Sequence, residues 1–258
     1  MLPWMGNCIR TSLAGGAEVT KPVSIEFGDL VEALFLERPN RFLVVCRLQE
    51  TGKEVLAHLA DPGRLKELLL PGAKLFLRFA HHPRRKTKWS VVLVQTPDET
   101  TYVSLHAAMA NQLTSEALQA GVIADLAHWD IERQEYTYGG SRWDFLLQRD
   151  QGLMLLEVKS CTLVQDGMAM FPDAVTARGR RHVQELTALV SKGKFAGAVL
   201  FVIQREDAAA FRPAGHIDPD FAEALKRADQ HGVKLFAYNC QVRPGSITWG
   251  QELRMELS

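Results

Sequence analysis

The chain has 258 residues, 47% of them hydrophobic and 23% charged, and its 30 basic and 30 acidic side chains cancel to a formal net charge of zero. This composition excludes a disordered, collagenous or membrane-spanning chain, and the length suits two domains better than one. Zero net charge supplies no global field toward nucleic acid, so any such binding must come from local basic clusters.

Residues 1–22 are rich in Gly and Ala, lack periodicity and read as a flexible extension. Asn7 and Arg10 interrupt the apolar N-terminus, and no later apolar run approaches a membrane span, so neither secretion nor a membrane partner is expected. The cysteines, Cys8, Cys46, Cys161 and Cys240, form no close pair and read as reduced thiols of a cytoplasmic protein.

Phe27, Leu30, Val31, Leu34 and Phe35 recur at intervals of 3 and 4, which predicts a short helix stopped by Pro39. RFLVVCRL and EVLAHL flank QETGK as a hairpin, and AKLFLRF and WSVVLVQT flank the basic turn HHPRRKTK. Short strands with Gly/Pro turns over 23–100 predict a small β-barrel of the oligonucleotide-binding (OB) kind. The pattern changes near residue 101. A helix in HAAMANQLTSEALQAG, strands in IERQEYTY, SRWDFLLQ and LMLLEVKSC, a helix in AVTARGRRHVQELTALVSKG, a buried strand in AGAVLFVIQ, a helix in DPDFAEALKRADQHG and a strand in VKLFAYNC follow. Residues 101–258 therefore predict an α/β domain of mixed α+β type around one sheet.

Asp144, Glu157 and Lys159 lie in strands whose two faces are both apolar, where unpaired charge is expensive. A turn centred on Asp150-Gln151 sets Asp144 opposite Glu157, with Lys159 two residues further on the same face. A turn at Gly139-Gly140 sets Glu135 opposite Asp144. Three carboxylates in a row repel unless a cation joins them, and oxygen ligands at this spacing suit Mg²⁺ or Mn²⁺. A second reading pairs Asp144 with Arg142 and Glu157 with Lys159 as structural ion pairs.

Asp144 followed by Glu157-x-Lys159 on the next strand resembles the core of the PD-(D/E)XK nuclease superfamily. FGDLVEALFLERPNRFLVVCRL, PGRLKELLLPGAKL, YGGSRWDFLL, LEVKSCTLV and FPDAVTARGRRHVQEL together resemble the sugar fermentation stimulation protein A family, from about Phe27 to the end. The resemblance implies an N-terminal OB-like barrel, a C-terminal nuclease-like domain, sequence-independent DNA binding and a role in regulating maltose metabolism. It implies either a metal-dependent nuclease or a DNA-binding regulator that keeps the fold without turnover. Where the family usually has Asn-Thr-Gly-Arg, this chain has Asp61-Pro62-Gly63-Arg64, so only Gly63 and Arg64 carry over, Arg64 as a DNA contact. Superfamily members often place an acid on the helix before these strands, which makes Glu116 a further candidate ligand, although a solvated helix face is the stronger reading of that residue. In such a site Asp144 and Glu157 hold the metal and Lys159 orients water or stabilises developing charge.

Two basic segments offer phosphate contacts. Arg84, Arg85, Lys86 and Lys88 end beside Trp89, which adds a stacking surface, and a solvated hairpin tip is the competing reading. Arg178, Arg181 and His182 follow the acidic strands, with Arg178, His182 and Glu185 on one helical face, where they either meet the phosphate or position the metal site; an ordinary surface helix is the competing reading. Asp173 reads as a cap for that helix. His81, His82, His128, His216 and His231 lack zinc-ligand spacing, and no phosphate loop, dinucleotide fingerprint or nucleophile elbow occurs.

Overall fold

The computed structural model describes residues 22–81, 85 and 87–257. The N-terminal extension and the basic-turn residues Arg84 and Lys86 lie outside them, apart from Pro22.

The first strand, β1 (Ser24–Glu26), leads into β2 (Val31–Asn40), β3 (Leu43–Leu48), β4 (Glu54–His58), β5 (Lys74–Phe79) and β6 (Trp89–Gln95). The order β4-β3-β2-β5-β6, with β4 also pairing β6, closes five strands into an OB-like barrel. Its interior is filled by alternating residues such as Ala33, Phe35, Val44, Cys46, Leu75 and Leu77.

The helix expected over 27–35 does not form; β2 occupies most of that stretch. Ala33 and Phe35 alternate into the barrel, whereas Phe27 and Leu30 pack into the core of the following domain. The 3-and-4 spacing thus joined residues that serve two different cores. Gly28, at φ 73°, turns the chain between them.

After β7 (Tyr102–Ser104) come α1 (Ala108–Gln119), β8 (Asp130–Tyr138), β9 (Ser141–Arg149), β10 (Gly152–Cys161), β11 (Leu163–Gln165) and β12 (Met168–Phe171). The remaining elements are α2 (Ala177–Ser191), β13 (Ala196–Ile203), β14 (Ala210–Pro213), α3 (Pro219–Gln230), β15 (Lys234–Val242), β16 (Ser246–Glu252) and β17 (Arg254–Met255). The main sheet has the order β1-β16-β15-β13-β10-β9-β8, parallel at its centre and antiparallel towards both edges. β1, at the start of the segment expected to build the barrel, pairs instead with β16.

One face of this sheet packs with α1 through Leu113, Phe145 and Leu156, and Phe76, Val92 and Leu93 from the barrel strands enter the same core. The other face packs with α2 and α3 through Leu155, Leu186, Phe201 and Phe221. Barrel and sheet are therefore joined by buried apolar surface. Thr176 caps α2 by accepting from the Gly179 N–H at 3.1 Å, and Asp218 caps α3 at Phe221, ahead of Pro219 in its first turn. No helix among the described residues is long and apolar enough to cross a membrane.

Candidate acidic centre

Both turn centres read from the sequence set the register. Arg149 pairs Gly152 and the ladder continues to Phe145 opposite Leu156; Tyr138 pairs Ser141 and that ladder runs to Arg133 opposite Leu146. Asp150 and Gly139, at φ 52° and 65°, take the left-handed conformations these tight turns require.

The expected flat row of three carboxylates does not form. Trp143 is buried on the α2 side of the sheet and Phe145 on the α1 side, although two residues apart in a strand normally share a face. The change-over falls at Asp144, opposite Glu135, whose φ of 52° breaks the pleat. Glu135 is exposed and ion-paired with Arg142 at 3.6 Å. It is not gathered with the other two, and no group of three or more His, Cys, Asp or Glu able to hold a metal occurs among the described residues.

Asp144 sits where the β9–β10 pairing ends. Its Oδ2 accepts the Val158 N–H at 2.8 Å, a group left free by the lost ladder, and its Oδ1 accepts from Asn111 Nδ2 on α1 at 2.7 Å. Sequence reasoning missed Asn111; with Gln112, Thr114, Ser115 and Glu116 close by in the same helix, nothing in the sequence singled it out. Glu116 lies five residues on, about 140° around the helix, and is exposed. It does not join the site, because the helix face that meets β9 carries Asn111.

Glu157 is 4% exposed. Its Oε1 accepts from Lys159 Nζ and from His182 Nδ1, the latter at 2.9 Å, while its Oε2 is buried with no hydrogen-bond partner among the described residues. His182 is itself buried, packed beside Trp143, so of the two roles expected of its helical face its geometry fits the positioning one, against Glu157, and not the nucleic-acid contact. The structural pairing considered from the sequence holds for Glu157 with Lys159 but not for Asp144, since Arg142 pairs with Glu135.

The two carboxyls are driven apart. Burial, then the Glu157 charge, push Asp144 up against the pull of its two hydrogen bonds. Burial also pushes Glu157 up, but the His182 and Lys159 hydrogen bonds and the lysine charge outweigh it and hold the carboxyl below its ordinary range. Both line a cleft of about 260 Å³ with Arg142, Lys159, Thr176 and Arg178.

A larger cleft of about 480 Å³ adjoins it along the seam with the barrel, sharing Lys159 and Arg178 and adding Arg41, Asp61, Gly63 and Asp173. Asp173 does not cap α2, a task Thr176 performs. Its Oδ2 instead accepts the backbone N–H of Arg64 at 2.5 Å and of Leu65 at 3.4 Å, so it ties the barrel loop to the second domain. Asp61 Oδ1 accepts the Gly63 N–H at 2.7 Å, and Arg38 holds the Arg64 carbonyl at 2.8 Å. A Cβ on Gly63 would meet Asp173 Oδ2 at 2.6 Å, which explains the glycine. Arg64 is exposed, with its backbone engaged at both ends of the residue.

Among the other expected contacts, Arg178 and Arg181 are exposed at the start of α2, as is Lys88 on the barrel. Glu185 does not reach the cleft; it accepts from the Gly140 N–H and the Ser141 hydroxyl and anchors the β8–β9 turn. Trp89 is half-buried against the barrel core, and the more exposed ring beside it is Phe79, 42% exposed.

Comparison with known proteins places this geometry. A family model described as the sugar fermentation stimulation protein RE domain matches residues 108–246, and one described as the SfsA N-terminal OB domain matches 36–105. The chain is similar to a sugar fermentation stimulation protein homolog of Moorella thermoacetica, 46% identical over 222 residues, covering 85% of this chain and 94% of that one. It is also similar to a homolog of the same name from Shouchella clausii, 44% identical over 218 residues, covering 84% and 94%. Among solved structures, that of Pyrococcus furiosus SfsA in complex with Ca²⁺ matches with a TM-score of 0.83 and 26% identity, over 92% of this chain and 99% of that one.

Proposed function

The chain belongs to the sugar fermentation stimulation protein family, and from that premise we propose that it binds nucleic acid with little sequence preference and hydrolyses the phosphodiester backbone at Asp144, Glu157 and Lys159 with a divalent metal. The observation that carries this reading is the buried Glu157 Oε2. A buried carboxylate oxygen with no donor among the described residues, next to a second, half-buried carboxyl at the head of a basic cleft, is costly unless a cation meets it. Hard oxygen donors suit Mg²⁺ or Mn²⁺, and the Ca²⁺ of the Pyrococcus structure belongs to the same class of ion.

Asp144 and Glu157 would hold the ion, which when bound polarises a phosphoryl oxygen and makes water more acidic. Asn111 and the Val158 N–H fix the two Asp144 oxygens, and His182 fixes Glu157 Oε1, leaving Oε2 available. Lys159 places its ammonium at the cleft, where it can stabilise charge developing on the phosphoryl group. Arg178 and Arg142 at the cleft wall supply phosphate contacts that carry no sequence information.

One observation favours a non-catalytic DNA-binding regulator, here of sugar metabolism, instead: Glu135 is turned to Arg142 and leaves only two carboxylates at the site. A cleavage assay on mixed DNA and RNA with Mg²⁺ or Mn²⁺ separates the two. Hydrolysis by the wild type that Glu157→Ala lowers by at least about a hundredfold supports the enzyme; binding without hydrolysis by either protein supports the regulator.

A further inference from the structure

A second concentration of charge lies on the barrel, away from the acidic centre. His58 ends β4, Arg78 stands near the end of β5, Arg85, Thr87 and Ser90 come from the connection into β6 and its first turn of strand, and His106 precedes α1. Together with Ala60 they line an open pocket of about 440 Å³, with no Asp or Glu among the described residues of its wall.

The groups on this wall satisfy one another only in part among the described residues. Arg85 donates to Ser90 Oγ at 2.9 Å, and among the described residues Arg78 reaches only the Phe27 carbonyl, at 3.5 Å. Neither guanidinium is ion-paired with a carboxylate among the described residues. His106 Nδ1 is buried and has no hydrogen-bond partner among those residues. Burial, with Arg78 and His58 close by, disfavours the charged form of His106. Two guanidiniums, two imidazoles and two hydroxyls converge on one hollow, rich in donors and free of competing anions. A group with several acceptor oxygens and negative charge complements such a wall, and planar guanidinium donors match phosphate oxygens in pairs.

Its position gives the pocket a role. Ala60 bridges His106 in a parallel pair, and the next residue of each segment, Asp61 and Ala107, lines the seam cleft that also holds Lys159 and Arg178. We infer that the pocket formed by His58, Arg78, Arg85 and His106 binds a phosphate group. On the proposed function this is a phosphate of the same strand that enters the acidic cleft, so the pocket fixes the strand's path across the barrel; only the carrier of the phosphate rests on that reading.

The test is a thermal-shift titration with inorganic phosphate, at constant ionic strength and with a chelator present, on wild type, Arg85→Gln, His58→Gln and Glu157→Gln. Phosphate should give a saturable rise in Tm in wild type and in Glu157→Gln, with the apparent affinity roughly tenfold weaker in Arg85→Gln, the loss of one charge-assisted contact. Arg85 is half-exposed and makes one side-chain bond among the described residues, so that variant keeps the fold if His58→Gln does not. Equal phosphate affinity in wild type and Arg85→Gln, or no saturable shift in wild type, overturns the assignment. A single-stranded oligonucleotide is then added as competitor. Displacement of phosphate assigns the pocket to a nucleic-acid strand, and phosphate that no oligonucleotide displaces assigns it to free phosphate. Arg85-dependent phosphate binding in a wild type that cleaves nothing would reject hydrolysis and keep the pocket.

Discussion

Ionising Asp144 in the folded chain carries a cost set first by burial and then by the Glu157 charge. The unfolded chain releases this proton in the ordinary Asp range, whereas the folded chain keeps it to higher pH. Between those two pKa values the folded state binds more protons, so stability is full below the window and falls as pH rises through it. In the presence of a chelator, Tm should therefore decline over that window, and Asp144→Asn should flatten the decline. Adding Mn²⁺ to the wild type should flatten it too, because the ion offsets the repulsion between the two carboxylates. A Tm profile identical in wild type and Asp144→Asn would show that Asp144 is not the group under strain. Asp144, Glu157 and Lys159 were legible because charge inside an apolar strand is costly and must be compensated. Asn111 was not, and for His182 the sequence left phosphate contact and positioning of the site both open: each acts across elements, and one-dimensional spacing does not report which helix face meets which strand.

At the scale of elements, the β8–β9–β10 register could be read from two short turns, since a two-residue connection leaves the pairing no freedom. The orientation of Glu135 could not, because its positive φ interrupts the alternation on which a same-face argument depends. The misread first helix has a related cause: Phe27 and Phe35 are spaced like one helical face yet are buried in separate cores. Asp173 shows a third limit, for Thr176 was the better-placed cap and freed the carboxylate to reach across to the barrel loop. Removing it leaves the Arg64 and Leu65 N–H groups without their partner. Asp173→Ala should destabilise the protein by about 1–3 kcal/mol, read as a lower urea midpoint at unchanged m-value. Full stability in that variant would mean that the loop is held by Arg38 and Asp61 alone.

The whole molecule presents a continuous arrangement in which a barrel, a seam and an acidic cleft share lining residues, while its net charge is zero. On the proposed function, nucleic-acid affinity comes from local clusters, and the described ones include Arg41 on the barrel side of the cleft, Arg178 and Arg181 on α2, and Arg78 and Arg85 in the barrel pocket. Replacing Arg178 and Arg181 together by Gln should weaken binding similarly for unrelated sequences and flatten its salt dependence by roughly two units of logarithmic slope. An unchanged slope would place the phosphates elsewhere on the surface.

The most direct measurement of the central claim is a Mn²⁺ titration, by calorimetry and by paramagnetic resonance, of wild type, Asp144→Asn and Glu157→Gln. The account predicts one ion per wild-type chain and a rise in Tm on loading, with most of the binding lost in each variant while the unloaded fold is kept. Mn²⁺ binding of equal strength in wild type and both variants, or none in the wild type, would contradict it.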